Sequence, residues 1–182
     1  MDQFTLHRDD AVLLAIDIQE RLVPVMKYGK QVIDNTNVLI KVAGQMDIPV
    51  FITEQYPQGL GRTVPEIEAA AAKTSVFEKV TFSGCTDEMT AALGQLGRKK
   101  VIVTGMETHV CVFQTVRGLL GAGYQVFLVQ DAVCSRTKEN FRNGLALMDA
   151  MGAVITNTET VVFDLLKRAA TDEFRAALQL IK

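Results

Sequence analysis

The chain has 182 residues, 48% of them hydrophobic, which is enough for a substantial core and reads most simply as one domain over residues 1–182. Its 19 basic and 21 acidic residues leave a net charge of −2 with no basic block, so no footprint for nucleic acid stands out and polyanions are not expected as partners. No apolar run approaches the roughly 18 residues of a membrane span and the N-terminus MDQFTLHRDD is polar, so the expectation is a cytoplasmic protein without a membrane partner.

The first element is AVLLAIDI, Ala11 to Ile18, a continuous β-branched run of the kind that strands buried on both faces show. Val32, Leu39, Ala43 and Met46 then share one helical stripe. VFIT, Val50 to Thr53, is a second strand, followed by EQYPQGLGRTVP, Glu54 to Pro65, whose Pro and Gly predict a surface loop serving as rim or lid. SVFEK, Ser75 to Lys79, is a short strand, and Met89, Leu93 and Leu96 mark the next helix. KVIVT, Lys100 to Thr104, precedes a helix carrying Val112, Val116 and Leu119 toward Ala122. QVFLV, Gln125 to Val129, a helix over Phe141 to Met151, the strand AVIT at Ala153 to Thr156 and two helical pieces within Thr158 to Ile181 complete the chain. This alternation predicts a doubly wound α/β sheet with right-handed crossovers, helices on both faces and functional groups just after the strands.

Three residues stand at such positions. Asp17, inside AVLLAIDIQ, is either a turn carboxylate accepting backbone N–H bonds or a functional acid, because a dry carboxylate needs a partner. Lys79 closes SVFEK and is either a surface lysine or the cation that meets Asp17 in the crevice. Cys111 opens a helix, where N–H groups and the macrodipole favour a thiolate and can hold an oxyanion; the alternative is a small buried hydrophobe. Cys85 and Cys134 read as buried residues, and His109 as a pocket-lining or helix-capping group. With an odd number of cysteines, no CxxC spacing and two histidines, neither a disulfide framework nor a metal site is expected. GLLGAG at 118–123 ends a helix where a dinucleotide fingerprint opens one, so no cofactor is expected.

The ordered set of DIQ, FEKVTFSGC, TGMETHVCV and VFLVQDAVCSR, from about Ala11 to Phe163, resembles the isochorismatase-like cysteine hydrolase family. The resemblance implies a three-layer α/β/α sandwich on a mostly parallel six-stranded sheet, Rossmann-like in plan. By the same likeness Asp17 is the general base, Lys79 its charge partner and Cys111 the nucleophile; Met106-Glu107 is a cis peptide, and the Glu107 and Cys111 N–H groups form the oxyanion hole. Tyr56, Phe82, His109 and Val110 are taken as pocket residues for their closeness to these groups. The resemblance also implies a homo-oligomer, dimer or larger, with the apolar C-terminal helices as its surface. Metal-dependent nicotinamidases of that family place Asp-x-His after the second strand, whereas this chain has Glu54, Gln55 and Tyr56, which disfavours nicotinamide. Family members that cleave a vinyl ether commonly lack the cysteine, so its presence favours cleavage of a small amide through a thioester. Ether hydrolysis and a redox-sensing role are the alternatives.

Overall fold

Strand β1, Ala11–Ile16, is buried along its whole length, and its alternation sorts it between two cores. Ala11, Leu13 and Ala15 enter one apolar cluster, Val12, Leu14 and Ile16 the other. A computed structural model, describing residues 2–69 and 72–181, sets this strand near the middle of a six-stranded sheet. The others are β2 (Val50–Gln55), β3 (Thr74–Lys79), β4 (Lys100–Met106), β5 (Gln125–Cys134) and β6 (Val154–Thr156). Their order is β3-β2-β1-β4-β5-β6 and every neighbouring pair is parallel.

Helices α1 (Gly29–Gln45), α6 (Thr158–Leu166) and α7 (Asp172–Leu178) cover the first core; α3 (Asp87–Leu96), α4 (Phe113–Gly121) and α5 (Lys138–Ala150) cover the second. The result is the three-layer α/β/α arrangement expected. Helix starts are set locally: Thr86, Thr137, Asn157 and Thr171 each accept a bond from the N–H three residues on. Among the described residues no helix is long and apolar enough to cross a membrane.

Several strand ends differ from the sequence expectation, β4 among them in running to Met106 and not Thr104, and for β1, β2 and β5 the reason is visible. β1 stops at Ile16, not Ile18, because Asp17 turns into the left-handed region at φ 52°. β2 continues through Glu54 and Gln55, which pair with Glu78 and Lys79 of β3. β5 runs on to Cys134, with extra residues between Leu128 and Val133 opposite Val103 to Gly105. The remainder of the expected loop holds a one-turn helix α2 (Pro57–Leu60) and is laced to residues 18–21, with Glu20 N donating to Arg62 O and Val64 N to Ile18 O, both near 3 Å. It is a pinned rim.

Candidate active site

The chain reverses direction across the sheet between β1 and β4, and the carboxyl ends of those strands and of β2 and β3 converge there. Asp17 follows β1 directly, its N–H bonded to Thr53 O at 3.0 Å. In β2, residues 53 and 55 share a face, so Thr53 and Gln55 point to the crevice while Glu54 points away. Glu54 is taken up elsewhere, accepting from Thr63 N and Oγ1 and from Arg62. Those bonds hold its carboxyl below the usual range although burial pushes it up. Lys79, at the same register as Gln55, carries its ammonium back to Asp17.

The Lys79 Nζ to Asp17 Oδ2 distance is 2.7 Å, with side chains 1% and 0% exposed. Thr53 Oγ1 donates to the other carboxylate oxygen at 2.7 Å. Lys79 also donates to Gln55 Oε1 at 2.7 Å and to the Thr81 and Phe82 carbonyls at 3.3 and 3.2 Å, so the buried cation is saturated with acceptors.

Cys111 reaches the same carboxylate from β4. The Met106-Glu107 peptide is cis, and residues Thr108–Val112 form a π-helical turn in which Val112 N donates to Glu107 O. Cys111 therefore sits in this turn, ahead of α4, instead of opening an α-helix. Burial pushes its thiol up to about 12, and the Asp17 carboxylate adds to the rise while Lys79 opposes it. The expected helix-end thiolate is thus outweighed by desolvation and by a neighbouring anion. Burial likewise raises the Asp17 carboxyl, against Lys79 and against hydrogen bonds from Thr53 and Cys111. Asp17, Lys79 and Cys111 are brought together, with the thiol held in its neutral form beside a carboxyl of raised proton affinity.

Residues that sequence reasoning missed complete the frame. Thr115, one turn after Cys111, donates to Cys111 O and accepts from Gly84 N, both at 2.7 Å, pinning the loop after β3 to the thiol's turn. Gln19 and Gln55 brace each other and Lys79. Strand parity carried on past Thr53 was the signal that could have placed Gln55 on the same face as Thr53; Thr115 had none.

Of the remaining expected residues, Glu107 accepts from the backbone and side chain of Arg136 at 3.0 and 3.1 Å. His109 Nδ1 lies 3.0 Å from Ser135 Oγ, and Val110 is half-buried beside it. Tyr56 and Phe82 are half exposed at the rim. Ser135 and Arg136 line a cavity of about 390 Å³ at the carboxyl end of β5, together with Lys27, Tyr28 and Arg142. A cavity of about 690 Å³ lies at the far sheet edge among Phe127, Val154, Asn157 and Phe163, with none of the converging groups in its walls. Among the described residues no three His, Cys, Asp or Glu side chains gather as a metal site requires.

The profile of the isochorismatase domain matches residues 11–160. The chain is 37% identical over 173 residues to isochorismatase domain-containing protein 1 of Danio rerio, a match covering 94% of this chain and 61% of that protein. It thus spans about three fifths of that relative's length. It is 34% identical over 180 residues to isochorismatase family protein 1A of Dictyostelium discoideum, covering 96% and 87%. The solved structure of the MAR1 ribonuclease from Caenorhabditis elegans superposes with a TM-score of 0.92 at 34% identity, covering 97% of this chain and 92% of that one.

Proposed function

The chain belongs to the isochorismatase-like hydrolase family, and from that premise we propose that it cleaves the C–N bond of a small amide, with Cys111 as nucleophile. Asp17 takes the thiol proton as sulfur attacks the carbonyl carbon, and the C=O electron pair moves onto oxygen. The Glu107 and Cys111 N–H groups hold that oxyanion. As it collapses, the C–N bond breaks, and the amine leaves with the proton from Asp17, yielding a thioester on Cys111. Asp17 then removes a proton from water, which attacks the thioester; the acid departs and the proton returns to sulfur. Lys79 keeps the carboxylate oriented and charge-compensated throughout. No organic cofactor enters these steps.

One observation carries this reading: a single fully buried carboxylate is ion-paired to an ammonium at 2.7 Å and has the Cys111 thiol as its neighbour. A thiol pushed up to about 12 is a poor resting nucleophile, so its proton must go to an adjacent base during attack, and Asp17 is that base. The decisive experiment is turnover across a panel of small amides, with mass spectrometry of the intact chain for an acyl adduct on Cys111. Activity that vanishes in Cys111→Ala supports the proposal. Activity surviving Cys111→Ala but lost in Asp17→Asn points to ether hydrolysis. Turnover of RNA without amides, or peroxide-sensitive binding without turnover, sinks it.

A further inference from the structure

Lys79 has three N–H bonds to give and four oxygens within 3.3 Å: Asp17 Oδ2, Gln55 Oε1, and the Thr81 and Phe82 carbonyls. Two of these contacts are short, at 2.7 Å, and Gln55 supplies the neutral one. Its amide has one sensible orientation. Nε2 donates to Val80 O at 2.9 Å, so exchanging the amide ends would set an NH₂ against the ammonium and an oxygen against a carbonyl. The main chain of Gln55 is fixed too. Its N–H donates to Gln19 Oε1 at 2.7 Å, and its carbonyl accepts from Gln19 Nε2 at 3.0 Å. Gln19 Nε2 also reaches Gly61 O at 2.7 Å, in the rim. A line of neutral amides therefore runs from the rim through Gln19 and Gln55 to the buried ion pair.

We propose that Gln55 is a positioning residue which, through Lys79, holds the ammonium on Asp17, with Gln19 as the brace that registers it to the rim. Its consequence for catalysis rests on the hydrolase reading; its effect on Lys79 does not. An oxygen at 2.7 Å favours the charged ammonium and fixes its direction, and a loosened ammonium compensates Asp17 and Cys111 less. Both groups then hold their protons to higher pH.

The test is the pH profile of Cys111 alkylation by iodoacetamide, resolved by peptide mass spectrometry, beside the pH profile of kcat/KM on amides. Gln55→Leu removes the acceptor. Gln55→Met removes it with an unbranched side chain of similar length, and serves where the leucine variant does not fold. In either variant the alkylation profile and the acidic limb of kcat/KM move up by about one pH unit, and kcat/KM near neutrality falls roughly 10- to 100-fold. A merely structural role lowers the melting temperature and moves neither profile, and that result in a folded variant overturns the proposal. Shifted alkylation with no amide turnover in the wild type retires the hydrolase reading and leaves the positioning of Lys79 standing. Unshifted profiles with wild-type turnover do the reverse.

Discussion

Removing the Asp17 charge leaves Lys79 as an uncompensated cation whose side chain is 1% exposed. Breaking a buried pair at one end costs about 3–5 kcal/mol, whereas replacing both partners by apolar groups is often close to neutral. Asp17→Asn should therefore lower the unfolding free energy in urea by about 3–5 kcal/mol, and Asp17→Leu/Lys79→Met should recover much of it while remaining inactive. A double variant as unstable as the single one would show that the pair is not coupled. Cysteine acidity gives a second prediction at this scale. Cys111 and Cys134 are both pushed up to about 12, chiefly by burial. Their folded values exceed the unfolded ones, so this contribution is fully present below about pH 8.5 and is lost as pH rises toward 12. Unfolding free energy should fall by up to about 1.4 kcal/mol per pH unit per cysteine across that window, and Cys134→Ser should flatten the slope. Asp17, Lys79 and Cys111 could be singled out in the chain because they stand just after strands, but each also had a plain structural reading, and their common role came from the family resemblance. Thr53, Gln55 and Thr115 could not be, because a neutral amide or hydroxyl demands no partner until strand register and helix packing are known.

At the scale of elements, α5 matters because it lies directly on the π-helical turn. A Cβ on Gly144 would stand 2.9 Å from Thr108 O and 3.1 Å from His109 Cα, both backbone atoms that cannot swing aside. Gly144→Ala should push α5 off the turn, costing about 1–3 kcal/mol. Hydrogen exchange should rise across residues 107–112, and amide turnover should fall further than the loss of stability explains. Gly94 is the contrast: exposed in α3, it would place a Cβ with no heavy atom within 4 Å. Gly94→Ala should raise unfolding free energy by about 0.5–1 kcal/mol without affecting turnover. Apolar periodicity shows that these helices exist, yet it does not separate a glycine kept for contact from one that is free to change. It also placed the end of β2 at Thr53, since Glu and Gln are weak strand formers. Pairing of Glu54 with Glu78 and Gln55 with Lys79 overrides that preference. The crevice depends on this override, because Gln55 meets Lys79 through it.

For the whole molecule, the expected association surface shifts. The apolar C-terminal residues Val161, Val162, Leu165, Leu166 and Ala177 are buried in the chain's own core, which leaves α6 and α7 little to offer a partner. Exposed apolar side chains are spread over the surface, Phe163 of α6 among them at 40%, but three stand close in sequence toward the β3 edge and the crevice: Val76 is 52% exposed, Val80 77% and Phe82 55%. β3 is also a terminal strand, with no further strand beside it among the described residues, and such edges pair with another strand unless blunted by charge or cover. Glu78, held by Arg62, leaves Val76 and Val80 as the uncovered apolar positions around it. If the protein is a homo-oligomer, this edge is where a second copy should sit, close enough to the crevice to shape what enters it. Light scattering on a sizing column should then give a mass of at least twice 20.0 kDa for the wild type and a monomer for Val76→Lys/Val80→Lys, with unchanged far-ultraviolet dichroism. A wild-type monomer, or a lysine variant that keeps its partner, would place any association elsewhere and leave the β3 edge as a rim formed by one chain.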